Sequence, residues 1–476
     1  MTGETGGPLA GYRFAGGGTA AADHAGGLAA ACGAVCVATS EPTLRLVDPF
    51  GRSAAIPRPD GDPVIDWAAS GALWLTGRRW CPPLVPPGSA ASLAAGGGLL
   101  LSLLSRLVAQ PVDVDARALL GERAAAARFG RRGPRSCGGA TRLLAAADGP
   151  VALTLARPSD RESVPALVSQ EQVDDPWLAL RDWVGRRSAA HVVERAALLG
   201  IPAGAPPATP DDPDRFDWTD AGPRTLPSAD PPRWRIVDLS GLWAGPLASQ
   251  LLALAGAELI KVESVRRPDG TRRGPKPFFD LLHGGHRSVA LDFGDADHLR
   301  GLRRLFASAD LVIEAARPRA LAQLGIGPAD AGGSWLALRA YPIGGPREND
   351  GGFGDDVSVA AGFVVRDRSG WLPVADALAD PIAGLSCAVA GLAMVASSRR
   401  WNCETSLYGL LRPAAPADVS APAAAARRGL RGWFVAGASA PVRVERPRAR
   451  RSKQPAANLG ADTAEIIAKL PKVPPC

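Results

Sequence analysis

Residues 234–263 read WRIVDLSGLWAGPLASQLLALAGAELIKVE, and this stretch decides the fold. Residues 236–239 form a short apolar run, and leucines then recur at helical spacing until Gly256 ends the pattern. A second apolar run follows at residues 258–263. A strand, a glycine-containing turn, a helix and a second strand in this order predict a right-handed βαβ unit. Ligands of such sheets bind at the carboxyl ends of the strands, so the turn at 240–246 is the first candidate site.

The residues that follow continue the alternation. A helical pattern at 298–308 precedes an apolar run at 310–314, and a further strand is expected at 334–340. This alternation predicts an α/β protein with a doubly wound, Rossmann-like sheet. The chain has 476 residues, of which 46% are hydrophobic, so it can also bury the core of a second, smaller α+β domain.

Composition along the chain predicts five regions. Between residues 202 and 232 there are nine prolines and little periodicity, which is typical of a linker. We predict a flexible N-terminus at 1–22, a smaller domain at 23–201, a Pro/Asp-rich linker at 202–233, the Rossmann-like catalytic domain at 234–411, and an Ala/Pro/Arg-rich tail with a terminal helix at 412–476.

The formal net charge of +7 suits nucleic acid, a membrane surface or a polyanionic small molecule. The basic run at 427–453 is rich in Pro and Ala, which favours a solvated linker over a nucleic-acid site. The seven cysteines are scattered and form no Cys-x-x-Cys pair, so we expect a reducing compartment and no metal site. The apolar stretch at 99–108 is shorter than the ~20 residues of a membrane span. We therefore predict a cytoplasmic protein without nucleic-acid or membrane partners.

Three sequence blocks carry a family resemblance. Residues 238–246 read DLSGLWAGP, residues 256–263 read GAELIKVE, and residues 287–292 read RSVALD. In order and spacing they resemble the amino-terminal half of the family III CoA-transferases, which include formyl-CoA and carnitine CoA-transferases and α-methylacyl-CoA racemases. The resemblance implies transfer of CoA between an acyl-CoA thioester and a small carboxylic acid through a covalent aspartyl intermediate. It also implies coenzyme A thioester as substrate, no tightly bound cofactor, and a possible homodimer.

The candidate nucleophile is Asp380. It stands directly before Pro381, at the start of an apolar helix that is rich in Gly and Ala, and we therefore expect it to be the N-cap. In the family the nucleophilic aspartate begins such a helix, so the resemblance implies a catalytic role for Asp380. The positive end of the helix would favour its ionised form. Asp376 is an alternative without the following Pro and Gly, and Asp355 and Asp356 are expected in a turn.

The resemblance also implies which residues contact CoA. The predicted set is Ala244, Gly245, Pro246, Arg266, Arg267, His286 and Arg287. The backbone of the turn would approach the pyrophosphate, and an arginine fork can bind a phosphate with two hydrogen bonds. The loop that would stabilise the oxyanion stays open between three glycine groups, at 96–98, 344–345 and 351–352.

Departures from the family pattern keep alternatives open. The family usually has Lys where this chain has His286, and Asn-Phe where it has Ala315 and Ala316, which favours a CoA-binding pseudoenzyme as the alternative. An acyl-CoA racemase is less favoured, because Gly354 stands where that branch has a catalytic His.

The order of blocks is also unusual. Residues 148–160 and 192–206 resemble segments that normally follow the catalytic helix, so the chain looks permuted, or fused from two truncated copies. A faint repeat supports fusion, since Gly71 and Trp80 have the same separation as Gly362 and Trp371. In the first copy the counterpart of Asp380 is Ser89, or Ser92 if three residues are inserted.

Overall fold

The structure, a computed structural model, describes residues 6–209, 211–224, 234–419 and 422–470. The strands are β1 (Arg13–Ala15), β2 (Val35–Val37), β3 (Thr43–Val47), β4 (Ser53–Pro57), β5 (Thr141–Ala145), β6 (Pro150–Thr154), β7 (Ala203–Gly204), β8 (Phe216–Pro223), β9 (Arg235–Asp238), β10 (Glu258–Ser264), β11 (Arg287–Leu291), β12 (Leu311–Glu314), β13 (Ser334–Arg339), β14 (Val364–Asp367), β15 (Gly370–Pro373), β16 (Arg399–Ser406), β17 (Arg427–Gly429), β18 (Gly432–Ala436) and β19 (Pro441–Arg443).

The α-helices are α1 (Ala20–Ala31), α2 (Pro63–Ala69), α3 (Ala72–Leu75), α4 (Ala90–Val108), α5 (Glu122–Ala127), α6 (Pro158–Glu162), α7 (Val164–Val168), α8 (Pro176–Val184), α9 (Ala189–Leu198), α10 (Ala244–Leu254), α11 (Lys276–His283), α12 (Ala296–Ala307), α13 (Pro318–Gln323), α14 (Gly354–Ala360), α15 (Ala379–Ala396), α16 (Leu407–Leu411) and α17 (Thr463–Lys469). Short 3-10 turns lie at 116–121, 270–273, 328–330 and 412–414.

A seven-stranded sheet forms the centre of the molecule, and it confirms the predicted α/β class. Its strand order is β11-β10-β9-β12-β13-β16-β8, and every neighbouring pair is parallel except β16 and β8. The strand order reverses at β9, which is where the chain crosses from β10 and β11 to β12 and β13. The predicted βαβ unit is therefore β9, α10 and β10, placed at the switch point where such sheets bind ligands.

Both faces of this sheet are covered by helices. Ile236 faces the large core that contains Leu247 of α10 and Leu385 of α15, whereas Val237 faces the second core, with Phe306 of α12. Successive strand residues point to opposite faces, so a strand buried on both sides reads as a continuous apolar run. The run at 236–239 has this character for that reason.

The residues before the main sheet share its larger core. A four-stranded sheet, β2-β1-β3-β4, is packed by α1 and α4, and Gly97 of α4 contacts Leu385 of α15. A three-stranded sheet, β5-β6-β7, packs against α14. The segment that we predicted as the smaller domain thus joins the Rossmann-like part through common apolar side chains.

Three predicted regions contain more structure than their composition indicates. Strand β8 lies inside the predicted linker and forms the edge of the main sheet, while residues 225–233 lie outside the described part. The N-terminal residues from 6 onward include β1 and the buried Leu9. The tail includes a three-stranded sheet, β17-β18-β19, where a solvated linker was expected. These strands depend on partners that are distant in sequence, which local composition does not reveal.

Two helices, α4 and α15, are long and apolar enough to cross a membrane by length and composition alone. The apolar stretch at 99–108 is thus part of a 19-residue helix. Of the most apolar window of each helix, 67% and 89% respectively lies buried inside the protein. Their apolar character is accounted for by packing against α1, α10 and each other.

Gly384 is expected to control the packing of α15 on α10. A Cβ at this position would lie 2.6 Å from the carbonyl oxygen of Ala244 and 2.9 Å from the Cβ of Leu247, so Gly384→Ala should destabilise the protein by about 1–3 kcal/mol. Gly301→Ala in α12 is the matched control, because the nearest atom, a side-chain methyl of Ile467, is 3.4 Å away. Its helix propensity should make that variant neutral or stabilised by up to about 1 kcal/mol. Urea unfolding of both variants measures the difference, and equal stabilities would contradict it.

Candidate functional site

The second turn of α15, which contains Gly384, lies against the beginning of α10. The absence of a side chain at Gly384 lets its backbone approach the carbonyl oxygen of Ala244. Asp380 precedes Gly384 by four residues, slightly more than one helical turn, or about 6 Å of rise. The structure therefore brings the predicted nucleophile close to the predicted turn at 240–246.

Asp380 lies inside the first turn of α15, and its prediction as the N-cap is wrong. The helix begins at Ala379, and the backbone N–H of Asp380 donates to the carbonyl oxygen of Ala377 at 3.0 Å. Because Ala377 has a positive φ of 46°, the chain turns before Asp380 and is already helical one residue earlier than Asp-Pro indicates. The carboxyl group nevertheless remains at the positive end of the helix.

The carboxyl group of Asp380 lies in a crowded but partly accessible position. Its Oδ2 atom lies so close to Gly354 that a side chain there would collide with it, and the backbone of Gly354 lowers the pKa of the carboxyl group. Part of the residue remains exposed, while protein surrounds the carboxyl group on most sides. The pKa of Asp380 is raised to about 7, chiefly by burial. Arg123 opposes this rise, whereas the neighbouring Asp355 and Asp376 contribute to it.

Asp376 is held in an ion pair, which distinguishes it from Asp380. Its side chain is 0% exposed, and both oxygens accept hydrogen bonds from Arg123, at 2.6 and 2.9 Å. The guanidinium carbon of Arg123 lies 5.3 Å from the ring centre of Trp243, directly before α10. Asp376 is therefore the less accessible of the two candidate nucleophiles.

Asp355 and Asp356 lie in the first turn of α14, where the sequence predicted a simple turn. Asp355 accepts a hydrogen bond from the backbone N–H of Ala377 at 2.8 Å. Asp356 accepts from the hydroxyl of Thr154 at 2.9 Å, and burial raises its pKa to about 7. Asp355 thus holds the loop that precedes Asp380, and Asp356 holds the end of β6.

Some of the predicted CoA-binding residues lie at the carboxyl ends of the parallel strands, and the others lie at the amino ends. Residues 244–246 form the first turn of α10, close to α15. Arg266 and Arg267 follow the carboxyl end of β10, on the same side of the sheet as this turn. The side chain of Arg266 is 73% exposed and pairs with Asp292 at 2.8 Å. These residues can reach one extended ligand along the carboxyl ends of the strands.

His286 and Arg287 lie at the amino ends of the parallel strands, where β11 begins. Parallel pairing aligns Arg287 with Ile260, near the amino end of β10. Burial lowers the pKa of His286 to about 4, so this histidine is neutral at pH 7. The two residues line a cavity of about 610 Å³ together with Arg450 and Lys453, away from Asp380.

Of the three glycine groups named as oxyanion candidates, one leads into the site. Residues 96–98 lie within α4 and pack against α1 and α15, and a Cβ on Gly344 would meet nothing within 4 Å. Residues 351–352 belong to the loop that reaches Gly354, the glycine in contact with Asp380. Among the described residues, no group of three or more His, Cys, Asp or Glu side chains is placed to hold a metal ion.

Sequence reasoning did not identify Arg123 or the contact made by Gly354. Arg123 is more than 250 positions away from Asp376 in the chain, and no local pattern distinguishes it from other arginines. Gly354 carried a weak signal, because it immediately precedes two consecutive aspartates.

Comparisons with known proteins agree with the motifs. Residues 233–402 match CoA-transferase family III. A probable fatty acyl-CoA transferase of Mycobacterium tuberculosis is 32% identical over 155 residues, which are 29% of this chain and 39% of that protein. A succinate–glutarate CoA-transferase of Agrobacterium fabrum is 34% identical over 116 residues, 21% of this chain and 29% of that protein. The matched region thus spans less than half the length of these relatives.

Two solved structures are similar to part of this chain. A crystal structure of a hypothetical protein from Mycobacterium tuberculosis is 28% identical, with a TM-score of 0.35, and the match covers 37% of this chain and 55% of that one. A CAIB/BAIF family protein from Brucella suis is 22% identical, with a TM-score of 0.36, and the match covers 42% of this chain and 64% of that one.

The raised pKa of Asp380 predicts how stability changes with pH. The pKa of about 7 lies above the unfolded value of about 3.9, so the native state binds the proton more tightly. The stabilisation is complete below about pH 4 and is lost as pH rises through 7. The neutral variant Asp380→Asn does not share this loss. Its Tm minus that of wild type should therefore increase as pH rises from 4 to 7 and stay constant above pH 8.

Asp376→Asn is the control for this experiment. It leaves Arg123 without its partner, so it should lower Tm at neutral pH rather than raise it. A Tm difference between Asp380→Asn and wild type that does not vary with pH would contradict the assignment.

Proposed function

From the match of residues 233–402 to CoA-transferase family III, we propose that this protein transfers CoA from an acyl-CoA thioester to a carboxylic acid, with Asp380 as the nucleophile. The observation that carries the proposal is the position of the Asp380 carboxyl group. It lies in the first turn of α15, in contact with Gly354 and beside the turn that begins α10. Its pKa of about 7 makes a reactive carboxylate available at neutral pH.

The reaction proceeds by covalent catalysis. An oxygen of Asp380 attacks the thioester carbonyl, the C–S bond breaks, and a mixed anhydride and the CoA thiolate are formed. The thiolate then attacks the aspartyl carbonyl, which releases the first carboxylate and leaves an aspartyl-CoA thioester. The acceptor carboxylate attacks this thioester to form a second anhydride. The released thiolate attacks the acceptor's acyl carbon, giving the new acyl-CoA and the free carboxylate of Asp380.

Gly354 has a specific role in this scheme. When the thiolate attacks the aspartyl carbonyl, negative charge develops on an oxygen of Asp380 itself. The backbone of Gly354 lies beside this carboxyl group and favours its ionised form, so its N–H is the donor that we propose to stabilise that charge.

The turn at the start of α10 is proposed to receive the CoA arm. Residues 244–246 are close to α15, and Arg266 and Arg267 also lie at the carboxyl ends of the strands. Lys261 lies buried beneath the turn, where its Nζ atom donates to the carbonyl oxygen of Ser240 at 3.0 Å and pairs with Asp269 at 3.0 Å. This pair fixes the backbone of the turn from below.

The substrates follow from the same scheme: we propose an acyl-CoA as donor and a small carboxylic acid as acceptor. We also propose that the protein acts in the cytoplasm and can form a homodimer. The six described cysteines are free thiols, which supports the proposed reducing compartment.

Trapping of the intermediate tests the nucleophile. Incubation of the protein with a panel of acyl-CoAs and hydroxylamine should convert Asp380 to the hydroxamate, because hydroxylamine cleaves aspartyl anhydrides and thioesters. Peptide mass spectrometry locates the modification, and Asp380→Asn should remain unmodified. Binding of acyl-CoA without any modified aspartate would instead identify a CoA-binding pseudoenzyme.

The pH dependence of the first half-reaction tests its ionisation state. Only ionised Asp380 can attack, so the rate of CoA release should rise between about pH 6 and 8 and level off above the pKa of about 7. Stopped-flow detection of the free thiol measures this rate. A rate that falls over the same interval would contradict a carboxylate nucleophile.

A further inference from the structure

The loop that leads to Asp380 has an unfavourable backbone conformation. Ala375 and Ala377 have positive φ angles of 59° and 46°. An L-residue with a side chain rarely adopts this conformation, because its Cβ approaches the backbone too closely. The loop therefore requires external contacts to keep Asp380 in place.

Most of these contacts come from the N-terminal half of the chain. The backbone N–H of Ala375 donates to the hydroxyl of Thr76 at 3.0 Å, and the thiol of Cys137 donates to the carbonyl oxygen of Ala375 at 3.3 Å. Arg123 binds both oxygens of Asp376. Three side chains that precede the loop by more than 230 residues thus hold two consecutive residues of it.

Helix α5 connects this loop to α10. Arg123 stacks on Trp243, next to the first residue of α10. The adjacent Glu122 accepts a hydrogen bond from Arg450 at 2.7 Å, and Arg450 donates to Gln250 of α10 at 2.6 Å. The short helix therefore contacts both elements that meet at Asp380.

We propose that Arg123, contributed by the N-terminal half, is the positioning residue for Asp380: it holds the strained loop in place and supplies the positive charge that the Asp380 carboxylate requires. Thr76 and Cys137 support the same loop without charge. The catalytic consequence rests on the proposed CoA transfer, whereas the positioning of Asp380 does not.

The charges around Asp380 explain why one cation matters. Asp355 of α14 and Asp376 of the loop are negative groups that raise its pKa, and Arg123 of α5 is the positive group that lowers it. Asp356, beside Asp355, has a pKa of about 7. Burial raises the pKa of Cys137 well above its usual range, so this thiol stays neutral. Without Arg123, a group of neighbouring carboxyl groups would retain protons to higher pH.

Opposite substitutions in the ion pair provide the test. Arg123→Met removes a positive charge and should raise the pH at which Asp380 ionises, by about one unit, whereas Asp376→Asn should lower it. The double variant removes both charges and should titrate near the wild-type midpoint. The midpoint is read as the pH dependence of the Tm difference between each background and the same background carrying Asp380→Asn, so it requires no transfer activity.

Turnover gives the second readout. A shift of about one unit would reduce the ionised fraction at pH 7 from about one half to about one tenth, so kcat of Arg123→Met should fall roughly fivefold and recover at pH 9. Thr76→Val should lower kcat without moving the midpoint, and Arg123→Lys should shift the midpoint less than Arg123→Met.

Arg78→Met is the matched control. Arg78 forms a similar two-bond ion pair between the halves, with Asp367 at 2.6 and 3.1 Å, but it lies on another loop. The substitution Arg78→Met should reduce stability and leave the pH midpoint of Asp380 ionisation unchanged.

Three results would overturn the proposal: an unchanged midpoint in Arg123→Met and Asp376→Asn, shifts of the same sign in both, or an equal shift in Arg78→Met. Should Arg123→Met not fold, the downward shift in Asp376→Asn decides the question alone. A wild-type protein without transfer activity would refute the proposed function and leave the Tm titration to decide the positioning role.

Discussion

The close contact between α10 and α15 is the constraint on which the site depends. Glycine at 384 allows the two helix backbones to approach, and the apolar faces on either side belong to one continuous core. Burial of that core supplies the free energy that holds the helices together. Because the two helix beginnings meet, the carboxyl group of Asp380 and the turn at 240–246 are placed together. A side chain at the contact would separate them and change the site without altering any residue in it.

This arrangement also concentrates unfavourable features at one place. Of the five described non-glycine residues with positive φ, three are Leu242, Ala375 and Ala377, in the two loops that meet at the site. Three carboxyl groups share the same environment with one guanidinium group, that of Arg123. Strained backbone and buried like charges persist only where the surrounding structure fixes them. The N-terminal half supplies much of that support, which gives it a physical role beyond the size of the core.

The N-terminal half also repeats the arrangement in a reduced form. β1, α1 and β2 begin with a parallel pair, as β9, α10 and β10 do, and Gly96 of α4 contacts the carbonyl oxygen of Ala21 in α1 as Gly384 contacts Ala244. By this contact the counterpart of Asp380 is Ser92 rather than Ser89. Ser92 donates a hydrogen bond to Asp66 at 2.7 Å, so a hydroxyl and a buried carboxyl group stand where the second arrangement has the carboxyl group of Asp380. The N-terminal half thus has a similar helix contact but no aspartate at the position that corresponds to Asp380.

The sequence alone determined the features that are local in the chain. The apolar period fixed β9, α10 and β10 to within two residues, and Asp-Pro before a Gly- and Ala-rich segment identified the helix of Asp380. Only the tertiary structure decided what arises between distant segments. In the structure Arg123 pairs with Asp376, and β8 forms the edge strand of the main sheet. His286 and Arg287 lie at the amino ends of the strands, whereas Asp380 lies near the carboxyl ends. Backbone propensity and hydrophobic period act over a few residues, whereas strand direction, long-range ion pairs and burial are set when remote segments pack together.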